Sequence, residues 1–247
     1  MGSGRLIAFV MAGVVTAMPA FADSPCVGKP AEAGTVAAIQ DGRTLTLTDG
    51  REIRLAGLEA PADGAALRAL AAGRPLRLEG TGEDRYGRLL AYAFVAAEAE
   101  PVQVALLGAG KARVSARLGV KSCAAALLAA EQGARAAGRG LWADPNFAPL
   151  GSQNLTMIAA ARGHFALIEG RVLSVRESGA TIYLNFGRRW TRDFSVIIPK
   201  RAQGNFAAAG IDVKTLEGRR IRVRGTIEQR SGPIVQAVAP EQIELID

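Results

Sequence analysis

The stretch GTVAAIQDGRTLTLTDGREIRLAGLEAP (residues 34–61) predicts three β-strands joined by two tight turns. Residues 44–48 (TLTLT) and 52–55 (EIRL) alternate polar and apolar side chains, so each strand has one face for a core and one for water. Asp-Gly dipeptides begin at Asp41 and Asp49, where this alternation breaks, and Asp-Gly favours short hairpin turns. We therefore expect a three-stranded meander, followed by a loop that carries chemistry.

The pattern downstream of the meander predicts that it closes into a small barrel. A helix is expected over residues 64–72, strands over 75–78 and 89–95, and further helices over 101–107 and 121–137. Three strands, a helix, two strands and then helices is the order of a five-stranded barrel of the oligonucleotide-binding type. The sequence thus predicts a mainly β, α+β first domain.

Four short segments of this domain bear on its chemistry: the turn Asp41-Gly42-Arg43-Thr44, the loop Glu59-Ala60-Pro61-Ala62, the segment Asp84-Arg85-Tyr86-Gly87-Arg88, and the closing Gly140-Leu141-Trp142. Together they resemble the thermonuclease (staphylococcal nuclease-like) family, and the resemblance covers residues 34–145. It implies an oligonucleotide-binding-type barrel with nuclease chemistry. In that family an Asp-Gly-Asp-Thr turn and an Asp-x-Pro-Glu loop provide calcium-binding carboxylates and a glutamate that activates water, while two arginines hold the phosphate.

Arg54 and Arg88 match the two phosphate-holding arginines of the family. Guanidinium groups bind phosphate oxygens as a fork, so the resemblance makes both arginines candidate phosphate contacts of a catalytic or binding site. The alternative is that Arg54 is a solvated strand residue and that Arg88 forms a salt bridge with Asp84.

The metal-binding and water-activating positions depart from the family. Arg43 stands where the turn has its second aspartate, Glu59 where the loop has its aspartate, and Ala62 where the loop has its glutamate. The guanidinium of Arg43 would repel a divalent cation at this position. Asp41 and Glu59 are therefore expected to bind calcium or another divalent metal only if the site is active. Because Ala62 has no titratable group, Asp63 and Glu59 are the candidates for a surrogate water activator.

Three functions remain open on these residues. The first is a thermonuclease-like protein that binds nucleic acid or another polyanion and whose nuclease activity is lost or weak. The alternative is an active metal-dependent phosphodiesterase with a rearranged carboxylate site. The third, from a different class, is an envelope protein that uses its barrels for protein contacts. No certain cofactor is implied.

Residues 1–22 have the features of a signal peptide. Arg5 is their only charge, an apolar run follows it, and AFA at residues 20–22 is the small-x-small pattern that signal peptidase cleaves. We expect a mature chain that starts at Asp23, is exported to the periplasm or secreted, and retains no transmembrane span. The alternative is an uncleaved membrane anchor, for which the apolar run is short.

The chain has two cysteines, Cys26 and Cys123. Export through an oxidising compartment gives them the opportunity to form one disulfide. Such a bridge would tie the N-terminal segment (residues 23–33) to the last helix of the first domain. The alternative is a free thiol at Cys26 and a small buried side chain at Cys123.

Residues 164–247 restart a β-pattern after a predicted linker over residues 146–163. Strands are expected over residues 165–175, 181–186, 194–199, 219–225 and 233–238, with a small helix over 202–209. Five strands separated by turn signals predict a second, oligonucleotide-binding-like β-barrel.

This second half is basic, because from residue 151 onward it has 14 basic and 9 acidic residues. Arginines neutralise phosphates and aromatic rings stack on bases, so basic side chains interleaved with aromatics favour nucleic-acid binding. The residues predicted to bind nucleic acid are Arg188, Arg189, Trp190, Arg222 and Arg224. The alternative is a basic surface that reflects composition and solubility.

Overall fold

The computed structural model describes residues 24, 26–95, 98–118 and 120–246, and the predicted signal peptide (residues 1–22) lies outside them. The first half contains strands β1 (Lys29–Asp41), β2 (Thr44–Leu47), β3 (Glu52–Leu55), β4 (Leu58–Glu59), β5 (Pro75–Glu83), β6 (Leu89–Val95) and β7 (Arg113–Val114). Its helices are α1 (Ala65–Ala71), α2 (Val102–Gly108) and α3 (Ala124–Ala136). No helix in the described ranges is long and apolar enough to cross a membrane.

Five of these strands form a closed barrel in the order β1-β2-β3-β6-β5. Strand β1 closes it because its first part pairs with β5, where Lys29 lies opposite Gly80, and its last part pairs with β2, where Asp41 lies opposite Thr44. The apolar positions of the meander face inward, as their alternation predicts, and Leu45 is fully buried. The predicted barrel of the oligonucleotide-binding type is confirmed for the first half.

Glycine is required for a different reason in each of the two Asp-Gly turns, backbone conformation in one and space in the other. Gly50 has a φ of +87°, the left-handed backbone expected of a hairpin turn. Gly42 is needed for space, because a Cβ there would lie 2.5 Å from the carbonyl oxygen of Pro61. The backbone N–H of Gly42 donates to that same oxygen over 3.2 Å. The turn that begins at Asp41 is therefore packed directly against the loop that follows Glu59.

A disulfide joins Cys26 and Cys123, whose Cα atoms lie 4.3 Å apart. It links the residue just before β1 to a short 3₁₀ turn, Lys121–Cys123, that leads into α3. Both cysteines are fully buried in the core of the first barrel. The bridge thus fixes the start of the barrel to the helices that cover it.

The second half contains strands β8 (Leu150–Gly151), β9 (Phe165–Arg171), β10 (Ser174–Ser178), β11 (Thr181–Asn185), β12 (Ser195–Pro199), β13 (Arg220–Gln229), β14 (Pro233–Gln236) and β15 (Ile243–Leu245). Its helices are α4 (Leu155–Ala160) and α5 (Gln203–Ala208). The strands lie in the order β10-β11-β12-β14-β13-β9-β8, with β15 beside β13.

The two ends of this order are joined by a bend between β9 and β10. The N–H of Val172 donates to Arg219 O, before β13, over 2.9 Å, while the N–H of Leu173 donates to Asn185 O, in β11, over 2.7 Å. The first part of this bent segment therefore pairs with the start of β13, and its second part pairs with β11. In the first barrel, β1 pairs in the same way with both β5 and β2. The second half is therefore a β domain whose sheet has the strand order of the first barrel, and because this bend connects the two ends of the order we call it the second barrel.

The segment predicted as a linker, residues 146–163, contributes to this second domain. Strand β8 pairs with β9 in parallel, with Leu150 opposite Ile168. In α4 the side chain of Ile158 is fully buried and belongs to the second hydrophobic core. The segment is thus folded against the second sheet over most of its length.

An ion-pair network joins the two barrels. Arg224 of β13 is 1% exposed, and its Nη2 lies 2.8 Å from Oε2 of the fully buried Glu131 in α3. Its Nη1 donates to Val114 O over 3.0 Å, and its guanidinium also contacts Glu244. Glu244 in turn accepts from Nη2 of Arg135 over 3.1 Å. Charged side chains of both barrels are therefore neutralised against each other at this contact.

The prediction that Arg222 and Arg224 bind nucleic acid is corrected by this network. Arg224 is enclosed, and Arg222 bonds Glu169 over 2.6 Å and Glu244 over 2.7 Å. Alternation along β13 does place both arginines on the face opposite the core, but there Arg224 contacts Glu131 of the first barrel and Arg222 is paired with Glu169 and Glu244.

Candidate anion-binding site on the first barrel

The turn between β1 and β2 uses its aspartate to hold its own backbone. Oδ1 of Asp41 accepts the N–H of Arg43 over 2.8 Å, and Oδ2 accepts the hydroxyl of Thr44 over 3.0 Å. The same hydroxyl oxygen accepts Nη1 of Arg54 over 3.1 Å. Asp41 is therefore connected to Arg54 through the fully buried Thr44.

Arg43, at the position where the resemblance places a metal-binding aspartate, pairs with Glu59. Its Nη1 lies 3.0 Å from Oε2 of Glu59 and also donates to the carbonyl oxygen of Leu58. The other carboxylate oxygen of Glu59 accepts the Ser115 hydroxyl over 3.5 Å. Glu59 is thus neutralised by a side chain of the chain itself.

Calcium does not fit this arrangement of residues. A hard cation requires several oxygen ligands, and here one carboxylate is paired with a guanidinium while the other holds a turn. Over the part of the chain that the structure describes, no group of three or more histidine, cysteine, aspartate and glutamate residues could hold a metal ion.

Arg54 is the arginine of this site that lacks an acidic partner. No carboxylate of the described residues lies within 4.0 Å of its guanidinium nitrogens. Partial burial lowers its pKa, and the charges of Arg43 and Arg88 lower it further. Each of these two arginines acts on Arg54 more strongly than Asp41 or Glu59 does. The surroundings of Arg54 therefore favour an anion.

Arg88 is held in place by Asp84, as the salt-bridge alternative expects. Oδ2 of Asp84 accepts Nε of Arg88 over 2.8 Å and Nη2 over 2.6 Å. These hydrogen bonds raise the pKa of Arg88 and lower the pKa of Asp84. The remaining nitrogen, Nη1, has no hydrogen-bond partner among the residues described. The salt bridge thus orients Arg88 and uses two of the three nitrogens of its guanidinium group.

Tyr86 is a residue of the site that the sequence reasoning missed. Its ring is 67% exposed and lies 5.1 Å from the guanidinium carbon of Arg88. The hydroxyl oxygen of Tyr86 accepts Nη2 of Arg85 over 2.6 Å. An aromatic residue set between two arginines, Arg85 and Arg88, was the signal that could have identified it.

Of the two candidates for a surrogate water activator, Glu59 pairs with Arg43, whereas the carboxylate of Asp63 bonds the backbone of α1. Oδ1 of Asp63 accepts the N–H of Ala65 over 2.9 Å and so fixes the start of α1. No salt bridge joins Asp63 to an arginine of the described residues. Of the residues predicted from the sequence, the structure brings together Asp41, Arg43, Arg54, Glu59 and Arg88.

The predicted nucleic-acid residues Arg188, Arg189 and Trp190 lie in the loop between β11 and β12. All three are exposed, and Trp190 is 66% exposed. They belong to the second barrel, whereas Arg54 and Arg88 belong to the first.

Comparison with known families identifies the class of the first barrel. Residues 53–144 match the family model described as Staphylococcal nuclease homologue. The first barrel is therefore a thermonuclease-like domain, and its family suggests nuclease-related binding of nucleic acid. The match includes Arg54, Glu59 and Arg88, begins after the turn that holds Arg43, and covers less than half of the chain. No curated protein matches the chain.

Proposed function

We propose that this protein is exported and binds nucleic acid or another polyanion, with a nuclease activity that is lost or weak. The observation that carries the proposal is Arg54, a partly buried guanidinium without a carboxylate partner that lies near two further arginines. A phosphate group placed there would relieve the repulsion among the three cations.

The same residues support the loss of hydrolysis. Cleavage of a phosphodiester needs charge neutralisation, a positioned water and usually a metal ion. Arginines supply only the first of these. Arg43 is bonded to Glu59, and Ala62 offers no group that could activate water. Binding without efficient turnover is the function that these side chains favour.

Export is proposed on the N-terminal sequence. Residues 1–22 have the pattern of a cleaved signal peptide. The disulfide between Cys26 and Cys123 supports an oxidising compartment, since such bonds are rare in reducing ones.

The first experiment measures binding of single-stranded DNA, RNA and polyphosphate by residues 23–247 at several salt concentrations. We expect Arg54→Ala to weaken binding about tenfold, which is the effect of losing a charge-assisted hydrogen bond. The affinity of Arg54→Lys should lie between those of Arg54→Ala and the parent protein. Arg68→Ala is the control, because Arg68 is an exposed residue of α1. Equal affinity of all variants, or binding that is insensitive to salt, would overturn the proposal and favour protein contacts.

The alternative is an active metal-dependent phosphodiesterase. It is favoured by one observation, that Asp41 and Glu59 both lie close enough to Arg54 to act on its pKa. Cleavage of the same polymers is therefore measured with calcium, magnesium, manganese and a chelator. Metal-dependent cutting that Arg54→Ala and Arg88→Ala both abolish would establish this function and refute the loss of activity.

A further inference from the structure

A groove of about 460 Å³ lies on the second barrel and is lined by residues of that barrel. It runs over strands β10, β11, β12 and β14, between the loop that carries Trp190 and the turn after β13. The lining residues that matter here are Arg176, Tyr183, Asn185, Trp190, Ser195 and Arg230.

The floor of the groove is built from cross-strand neighbours. Arg176, Tyr183 and Ile197 lie opposite one another on three adjacent strands, so their side chains share one face of the sheet. Two residues further along β11, Asn185 lies on the same face, opposite Ser195. The floor therefore presents a row of arginine, tyrosine and isoleucine beside a polar row of asparagine and serine.

The polar row keeps hydrogen-bonding capacity. Oδ1 of Asn185 accepts the hydroxyl of Ser195 over 3.1 Å, and its Nδ2 donates to the hydroxyl of Ser174 over 3.3 Å. An amide has two donors and an acceptor with two lone pairs, so Asn185 can bond a further polar edge. A ligand with polar groups around a flat ring would match this pair of rows.

Trp190 stands at the rim of the groove with 66% of its surface exposed. A large aromatic side chain left in water is informative, because burial of its area stabilises a fold and exposure does not. Its loop is held down, since Oδ2 of Asp193 accepts the N–H of Arg189 over 2.8 Å. The loop therefore presents Trp190 to the groove.

The side chains around the groove carry more positive than negative charge. Arg176 and Arg230 line the groove, and no carboxylate of the described residues lies within 4.0 Å of their guanidinium nitrogens. The loop that carries Trp190 adds Arg188, Arg189 and Arg192, which line a separate pocket together with Asp193. The nearest acid along β10, Glu177, is engaged by Lys200 and Lys214, each at 3.0 Å. The groove thus favours an anionic ligand.

We propose that this groove binds a single-stranded segment of nucleic acid, with a base against Trp190 and Tyr183 and phosphates on the arginines. Flat rings and regularly placed negative charges occur together in that polymer, and the groove offers surfaces for both. In a duplex the bases are stacked on one another and their faces are unavailable to side chains, so the groove selects unpaired strands. This inference rests on the proposed function only in taking the polyanion to be nucleic acid.

The test is a binding titration of residues 23–247 with three probes: a thymidine oligomer of about 12 nucleotides, the matching duplex, and polyphosphate. We expect Trp190→Ala to weaken binding of the single strand about tenfold and to leave polyphosphate binding unchanged. Trp190→Phe keeps a ring and should retain most of the affinity. Arg201→Ala, an exposed arginine outside the groove lining, is the control for charge.

The outcomes separate this groove from the site on the first barrel. If Trp190→Ala has no effect while Arg54→Ala does, the groove is refuted and the proposed function stands. If the reverse holds, single strands bind through the second barrel and the first barrel is not the anion site. Equal affinity for duplex and single strand, or equal loss of polyphosphate binding in Trp190→Ala, would refute base stacking at Trp190.

Discussion

At Arg43 the chain supplies its own positive charge to Glu59, whose carboxylate lies 3.0 Å away. A guanidinium in this place neutralises the carboxylate as a bound cation would, but it offers no open coordination position and polarises no water. The charge of the site is kept while its chemistry is changed. Under the proposed function, a guanidinium at this one position leaves a site that binds phosphate without hydrolysing it.

Arg43→Asp is expected to create weak calcium affinity, in the range of about 10⁻⁴ to 10⁻³ M. The change removes the repelling guanidinium, frees Glu59 from its ion pair and adds a carboxylate beside Asp41. Calcium titration by calorimetry measures it. Arg51→Asp is the control, since it makes the same charge change beside Asp49 on the next turn. Calcium binding of that strength by the unaltered chain would contradict our account of Arg43.

Asp41, Arg54, Glu59 and Arg88 could be predicted from the sequence because they lie in short motifs within one barrel, whereas Tyr86 was missed. Sequence alone could not choose between a free Arg88 and one paired with Asp84, and the structure shows the pair. It failed at Arg222 and Arg224. Alternation shows that two side chains leave the core, but it does not show whether water or another barrel covers the face that they reach.

Most strands and helices were predictable because each has a local signal of periodicity or turn chemistry. The exceptions depend on contacts distant in sequence. Strand β8 has two residues and forms only by pairing with β9. The strand expected over residues 165–175 is divided, because Val172 and Leu173 bond different neighbours. Neither feature produces a periodic pattern of apolar residues in the sequence, so neither could be predicted from it.

Two glycines with similar backbones are expected to respond differently to alanine. Gly73 has a φ of +70° and open space around it, so Gly73→Ala should cost about 1 to 2 kcal/mol of unfolding free energy. Gly110 has a φ of +66°, but a Cβ there would lie 2.1 Å from the carbonyl oxygen of Arg139. Overpacking should add about 1 to 3 kcal/mol. Urea unfolding measures both, and equal costs would refute the close packing after α2.

Removal of the disulfide by a double change, Cys26→Ser with Cys123→Ser, is expected to lower the free energy of unfolding by up to about 4 to 5 kcal/mol. The two cysteines are separated by 97 residues, so the bond restricts the unfolded chain strongly. Denaturant unfolding of both proteins, with and without reductant, measures the effect. Reductant should destabilise the parent protein alone, and an equal effect on the double variant would contradict the assignment.

The whole molecule depends on the network between its barrels. Arg224 and Glu131 are almost completely buried, and a buried charge that loses its partner is costly. Glu131→Gln is therefore expected to lower the free energy of unfolding by about 3 to 5 kcal/mol. Lys200→Gln, which breaks the exposed pair with Glu177, is the comparison and should cost about 1 kcal/mol or less. Similar costs for the two variants would show that the barrels do not depend on this contact.

The network is also expected to make stability depend on pH through Glu244. Burial raises the pKa of this carboxyl, but the charges of Arg224, Arg135 and Arg222 outweigh burial and hold it below the ordinary value of 4.5. A carboxyl whose pKa is lower in the folded state stabilises the fold fully above the unfolded value. Its contribution is lost as the pH falls from about 4.5 through the lower folded value.

Glu244→Gln tests this linkage, because glutamine mimics the protonated carboxyl at every pH. Denaturant unfolding of the parent protein and the variant between neutral pH and acid gives the difference in their stabilities. We expect the parent protein to be more stable than the variant at neutral pH. The difference in stability should shrink as Glu244 is protonated, because the three arginines then lack a negative partner at this position in the parent protein as they do in the variant. A difference that stays constant into acid would mean that Glu244 acts through packing, and the barrels would then be joined by Glu131 and Arg224 without a titrating partner.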